Sequence, residues 1–289
     1  LNPKPETQQP NFRRIGLLYH PKLPQSRVMV AEMLEFIESF GVSGWVCSSW
    51  DEPTITQKIA DTDLLITLGG DGSILRAARL AVAHGTLIMG VNLGRLGFLA
   101  EVAPAEWRDR FEQLLTGRYR IEARLMVQAR IFHRGTETGH YHALNEVAIS
   151  RGSLARVVRL KTFINQSYLT TYTADGMILS TPTGSTAYAL AAGGPILPPE
   201  LKNFLLIPLA PHLSLERAIV LAEGDTVRIT VATDHTAILT VDGQFDIELA
   251  HDDTVEVSGS PQVSRFLRLQ EKSYFYRTLM QRLGWGGHQ

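Results

Sequence analysis

The residues best placed to do chemistry are Gly69-Gly70-Asp71-Gly72-Ser73, which follow the apolar run Leu64-Leu65-Ile66-Thr67-Leu68 and open a helix-like stretch from Ile74. A buried strand that stops at glycines leaves backbone N–H groups unpaired, and the positive end of the following helix adds to them. Glycine permits a sharp turn and a close approach, because it has no Cβ. Such corners hold phosphate. Asp71 is the unusual member, since a carboxylate beside phosphates repels them unless it takes a proton from a hydroxyl or meets a metal ion. The loop reads as a phosphoryl-transfer site, with Asp71 as the candidate base and Gly69, Gly70, Gly72 and Ser73 as the phosphate cradle. The plainer alternative is an ordinary strand-to-helix turn capped by Asp71. No Gly-Lys-Ser/Thr occurs, which excludes a Walker-type loop, and Ile15–Tyr19 leads into no Gly-x-Gly-x-x-Gly.

The elements that must position this loop alternate. Ile15–His20 reads as a strand, Ser26–Phe40 as a helix, Trp45–Cys47 as a short strand and Thr54–Ala60 as a capped helix. Asp63–Leu68, the helix Ser73–Ala83 and the strand Thr86–Val91 continue the pattern. Alternation of this kind implies a mainly parallel sheet covered on both faces, with ligands beyond the carboxyl ends of its strands, where Asp71 and Asn92 lie. After a helix near Ala105–Leu115 and Gly117, short β-rich segments dominate: Leu125–His133, His142–Ser150, Val157–Ile164, Thr226–Ala232 and Ala237–Val241. These predict an all-β, two-layer second domain. The tail Lys272–Leu283 is helical again, with Tyr274, Leu279 and Leu283 on one face, and is expected to return to the first domain. The expected division is an α/β domain at 12–118, joined by the tail 268–289, and an all-β domain at 119–267.

With 289 residues and 44% hydrophobic content, the chain is long enough for two cores. Its net charge of −1 gives no support to nucleic-acid binding. The single Cys47 excludes an internal disulfide and a cysteine-based zinc cage, and fits a reducing, cytoplasmic setting. Leu1–Asn11 reads as a loose leader without the apolar stretch of a signal peptide. Gly176–Pro199 holds no charged residue over 24 positions, but its prolines, glycines and hydroxyls suit a pocket wall better than a membrane span. His140 and His142 share one face of a strand, yet no third ligand accompanies them, so no dedicated metal site is expected.

The second informative segment is Asp175-Gly176-Met177-Ile178-Leu179-Ser180-Thr181-Pro182-Thr183-Gly184-Ser185-Thr186-Ala187-Tyr188. Its hydroxyls can cap a short helix or contact a ligand. Together with Gly-Gly-Asp-Gly at 69–72 and Asn145-Glu146 between the two, it resembles the NAD kinase family, which carries these motifs in this order. Asn92–Leu99 is similar to that family's Asn-x-Gly-x-Leu-Gly-Phe-Leu loop, and Asp242-Gly243-Gln244 to its late Asp-Gly turn. The resemblance runs from about Ile15 to Trp285. Two departures stand out: Ser73 replaces a more usual Thr, and the loop Pro211–Ala218 has its hydroxyls rearranged, with Ala218 in place of a common Pro.

The resemblance implies transfer of the terminal phosphoryl group of ATP to the 2′-hydroxyl of the adenosine ribose in NAD, giving NADP. It implies Asp71 as the base. It also implies NAD contacts at Asp71, Gly72, Arg76, Asn145, Glu146, Arg156, Thr173, Asp175, Thr186, Ala187, Tyr188, Ala189, Leu190, Ala191 and Gln244. Glu146 would offer two acceptors to a ribose diol. Mg²⁺ is expected to arrive with ATP, held mostly by phosphates and water. A homodimer or homotetramer is expected, with no membrane and no nucleic-acid partner. A lipid kinase on the same loop and a non-catalytic NAD(P) sensor are the alternatives. The first lacks an apolar docking segment here, and the second has no need of Asp71.

Overall fold

The apolar runs of the first third become strands of a parallel sheet. A computed structural model describes residues 12–94, 97–152, 156–212 and 216–283. The expected leader, Arg95-Leu96, Leu213-Ser214-Leu215 and Trp285 lie outside them. In chain order the elements are β1 (Arg14–Tyr19), α1 (Pro24–Ser39), β2 (Ser43–Ser48), α2 (Glu52–Ile59), β3 (Leu64–Gly69), α3 (Asp71–Ala81), β4 (Leu87–Asn92) and α4 (Trp107–Leu115). Next come β5 (Arg120–His133), β6 (Thr136–Ala143), β7 (Glu146–Arg151), β8 (Val158–Ile164), β9 (Ser167–Ala174) and β10 (Gly176–Ser180). Then follow α5 (Tyr188–Ala191), β11 (Asn203–Leu209), β12 (Ile219–Ala222), β13 (Thr226–Val231), β14 (Ala237–Val241), β15 (Phe245–Leu249), β16 (Thr254–Arg268) and α6 (Tyr274–Arg282).

The chain divides into one unit of residues 1–122 and 264–289 and a second of residues 123–263. In the first unit the strands run β2-β1-β3-β4, all parallel, and Phe266 near the end of β16 pairs parallel with Ile88. Every residue of β3 is buried, as a strand covered on both faces requires. Val30, Met33 and Ile37 of α1 and Trp107, Phe111 and Leu114 of α4 pack with Leu64, Ile66 and Leu68 into one core. The register sets Gly69 beside Asn92, so the glycine turn and the start of the Asn92 loop leave the sheet side by side. The tail helix α6 groups with this unit but buries none of its residues fully, so the face expected from Tyr274, Leu279 and Leu283 is only partly covered.

Among the described residues, the regular elements of the second unit are β-strands apart from α5 and a neighbouring 3₁₀ turn at Gly184–Thr186. One six-stranded antiparallel sheet runs β12-β11-β10-β7-β14-β15. A second antiparallel set joins β16 to β13, β13 to β8 and β8 to β9, and β5 pairs with β6. Side chains alternating inward from both layers meet in one core around Val147, Leu160, Tyr172, Leu179, Leu206 and Leu239. The β-rich segment expected at His142–Ser150 is shared between two strands, β6 and β7, which are separated at Leu144-Asn145. The cause lies far along the chain. The Asp242 carboxylate accepts the backbone N–H groups of Leu144, Asn145 and Glu146 at 2.8, 2.8 and 3.0 Å, taking donors that would otherwise serve a ladder.

Candidate active site

Asp71 is the first residue of α3, and Gly70 before it is extended, so the strand passes into the helix within one residue. The first N–H groups of such a helix have no partner within it. The Ser73 N–H, expected in the phosphate cradle, is bonded instead to Gly70 O at 3.0 Å. A Cβ built on Gly70 or Gly72 meets nothing within 4 Å, so bare backbone faces open space there. Ser73 instead lies against Gly69, buried.

The Asp71 carboxylate is held in place. Its Oδ2 accepts the Phe98 N–H at 2.8 Å and its Oδ1 the Leu99 N–H at 3.1 Å. The carbonyls of those two residues are held as well: Arg282 Nη1 donates to Phe98 O at 3.4 Å and Arg268 Nη1 to Leu99 O at 2.8 Å. Arg268 is 5% exposed and lies between Glu122, 3.1 Å from its Nε, and Glu101, 3.5 Å from its Nη1. Arg120 meets the other oxygen of Glu122 at 2.9 Å. Two arginines thus balance two buried carboxylates, and the network fixes the segment on which Asp71 rests. A carboxylate has about four lone-pair directions, and two N–H bonds leave the others for a hydroxyl.

In the second unit Asn145 occupies the break between β6 and β7, held by Asp242, and its carbonyl accepts the Thr181 N–H at 2.8 Å. Gly184 permits this, because a Cβ there would fall 2.1 Å from Asn145 O. Asp242 is in the left-handed region at φ 49°, which aspartate tolerates better than most residues, and it turns β14 into β15. One Glu146 oxygen, Oε2, is buried without a hydrogen-bond partner. Burial, and then the nearby Asp242 charge, push the Glu146 carboxyl up to about 8. At neutral pH a carboxyl so placed holds a proton and can donate as well as accept.

The other expected residues are dispersed. Arg76, on α3, pairs with Glu52 at 3.5 Å. Gln244 follows the Asp242 turn, its N–H bonded to Val241 O. Thr186 ends the 3₁₀ turn and bonds Thr183 O; Ala187 and Leu190 are partly exposed, Tyr188 and Ala191 exposed. Ala189 is fully buried against Ile178, Leu205 and Ile207 and serves packing. Asp175 and Thr173 lie at the other end of β10 from the Asn145 break, about 17 Å along the strand. Asp175 there accepts from Arg151 Nη1 at 2.9 Å, and Arg156 is exposed. Within this unit the expected NAD residues thus form two clusters. Asp242 and Arg268 escaped the motif reading as positioning residues, since their partners are 98 and 169 residues away for Leu144 and Leu99.

Residues 17–119 match the ATP-NAD kinase N-terminal domain and residues 144–269 the ATP-NAD kinase C-terminal domain. The NAD kinase of Chloroflexus aggregans is 41% identical over 272 residues, covering 94% of this chain and 99% of that protein. That of Dehalococcoides mccartyi is 35% identical over 269 residues, covering 93% and 95%. Yeast NADH kinase, solved with NADH, superposes with a TM-score of 0.85 at 26% identity, covering 100% of this chain and 94% of the yeast chain. The Archaeoglobus fulgidus NAD kinase solved with ATP shares the fold, with a TM-score of 0.76 at 22% identity over 95% and 100%. Two domain matches in the right order, and relatives matched over nearly their whole length, settle what the motifs implied: the chain belongs to the NAD kinase family.

Proposed function

We propose that this chain transfers the terminal phosphoryl group of ATP to the 2′-hydroxyl of the adenosine ribose of NAD, and that Asp71 is the base. The observation that carries the assignment is the fixed Asp71 carboxylate, oriented by the Phe98 and Leu99 N–H groups beside the bare Gly70–Gly72 backbone. In a loose phosphoryl-transfer transition state, alignment and charge neutralisation supply most of the catalysis. A weak base suffices, because the acceptor hydroxyl gives up its proton late. Asp71 orients that hydroxyl and receives the proton as the new P–O bond forms and ADP leaves. Gly70 and Gly72 present N–H groups to phosphate. The donor is the Mg²⁺ complex of ATP, the ion being held mainly by phosphate oxygens and water.

Asn145, protonated Glu146, Thr186, Ala187, Tyr188, Leu190, Ala191 and Gln244 bind NAD in this reading, with Arg76 and Gly72 contributing from the loop and Ala189 acting through packing. Thr173, Asp175 and Arg156 form the second NAD cluster. The spacing of the two clusters supports a homodimer or homotetramer in which residues of two copies serve one nucleotide. Sedimentation of the purified protein as a monomer at assay concentration would count against that assembly. Among the described residues no helix is long and apolar enough to cross a membrane. We place the enzyme in the cytoplasm, where its substrates are.

The direct test mixes protein, Mg²⁺, ATP and NAD and reads NADP with an NADP-specific dehydrogenase. NADP formation dependent on ATP is expected. Nucleotide binding without turnover would favour a sensor.

A further inference from the structure

The strand order β2-β1-β3-β4 means that the chain leaves β1 toward one side and returns on the other, so the topological switch point lies between β1 and β3. Ligands of open parallel sheets settle at that point, beyond the carboxyl ends of the strands. The turn Gly69-Gly70 is one lip of it. His20, directly after β1, is the other, and its Cδ2 lies 3.6 Å from where a Cβ on Gly69 would stand. Trp50, just after β2, completes the edge and is 47% exposed. Its indole meets the His20 ring edge-on at 5.7 Å, the Lys22 ammonium at 5.0 Å and the Arg76 guanidinium at 5.6 Å. Burial, then the charges of Lys22 and Arg76, hold the His20 imidazole below its ordinary range.

An exposed indole beside two cations contributes little to a fold, since an exposed cation–π contact is worth only about 0.5–1 kcal/mol. The same groups suit a ligand that is both polyanionic and flat-faced. Glu52 pairs with both Arg76 and Arg79. His20, Lys22 and Trp50 belong to none of the motifs that identify the family.

We propose that His20, Lys22 and Trp50 form the seat of the phosphoryl donor, a nucleoside triphosphate whose phosphate chain crosses Gly69-Gly70 and meets Lys22, with Arg76 adding its charge and Trp50 forming the wall. The seat rests on the kinase reading above and adds the donor side of it. His20 Nδ1 accepts the Lys22 N–H at 3.2 Å, which leaves the proton on Nε2 to be donated to the phosphate chain.

The test measures NADP formation with ATP and NAD varied separately. Lys22→Ala is expected to raise the KM for ATP about 10-fold, the cost of one hydrogen bond to a charged group, and Lys22→Arg to restore most of it. Trp50→Leu should also raise it, and in all three variants the KM for NAD should stay within about twofold. A second measurement needs no turnover: ATP and inorganic tripolyphosphate are titrated against tryptophan fluorescence in the absence of NAD. Quenching present in the unsubstituted protein and absent in Trp50→Phe supports the seat. An unchanged KM for ATP in both Lys22→Ala and Trp50→Leu, a rise confined to NAD, or a fluorescence response unaffected by Trp50→Phe would overturn it. If the unsubstituted protein made no NADP, the kinase reading would fall, and the titration would still decide whether a triphosphate sits against Trp50.

Discussion

Asp71 and Gly97 occupy the same small space: a Cβ on Gly97 would fall 2.3 Å from Asp71 Oδ1 and 2.5 Å from its Cγ. The carboxylate reaches the Phe98 and Leu99 N–H groups only because position 97 is bare. Gly97→Ala is therefore predicted to turn Asp71 away and lower kcat by about 10²-fold, the cost of a displacement near 1 Å at a reacting group. Thermal unfolding and nucleotide affinity should move little. A variant with the parental kcat would show that Asp71 needs no such support.

Arg268 acts from the opposite side of the same segment. Arg268→Met removes the donor to Leu99 O and leaves Glu101 and Glu122 without their shared cation, so a loss of about 3–5 kcal/mol is predicted by denaturant unfolding. Arg268→Lys keeps the charge but loses the fork and should recover stability more than kcat. Equal recovery of both would make the residue merely structural.

Glu146 links stability to pH. Its folded carboxyl titrates at about 8 against an ordinary 4.5, so the folded state holds a proton that the unfolded chain has lost between those values. The contribution is full below the lower value and disappears as pH rises through the upper one. Unfolding midpoints of the parent should fall between about pH 5 and about pH 9 by more than those of Glu146→Gln. Parallel curves for the two proteins would contradict the buried, protonated state.

Asp242→Asn keeps the left-handed turn but replaces a carboxylate that accepts three N–H bonds with one acceptor oxygen. A loss of about 2–4 kcal/mol and a higher KM for NAD are predicted, because the Asn145 break loosens. Removing the Asp242 charge also lets Glu146 ionise at lower pH, so the pH dependence above should shift with it. An unchanged KM for NAD would separate the Asn145 segment from nucleotide binding.

The turn at Gly69–Ser73 was readable because its signals are local: an apolar run, glycines and a helix within a dozen residues. The same holds for β1, α1 and β8, whose ends moved by a residue or two. The break at Asn145 was not readable, since it depends on a carboxylate from a distant hairpin. Nor was β16, where Gly259, Ser260 and Pro261 interrupt any alternation, although its end supplies Arg268. The family resemblance marked Glu146 as a ribose contact; its burial and the neighbouring Asp242 charge, which raise its pKa, leave no trace in the local sequence. The Trp50 cluster left no motif, because its members come from the ends of β1 and β2 and from α3.

The most direct test is the turnover of Asp71→Asn in the coupled NADP assay, on protein shown to be folded by its unfolding midpoint. Amide for carboxylate keeps the shape while removing the proton acceptor, and kcat is predicted to fall about 10²–10⁴-fold with the KM for ATP nearly unchanged. A folded Asp71→Asn protein making NADP at the parental rate would contradict the account.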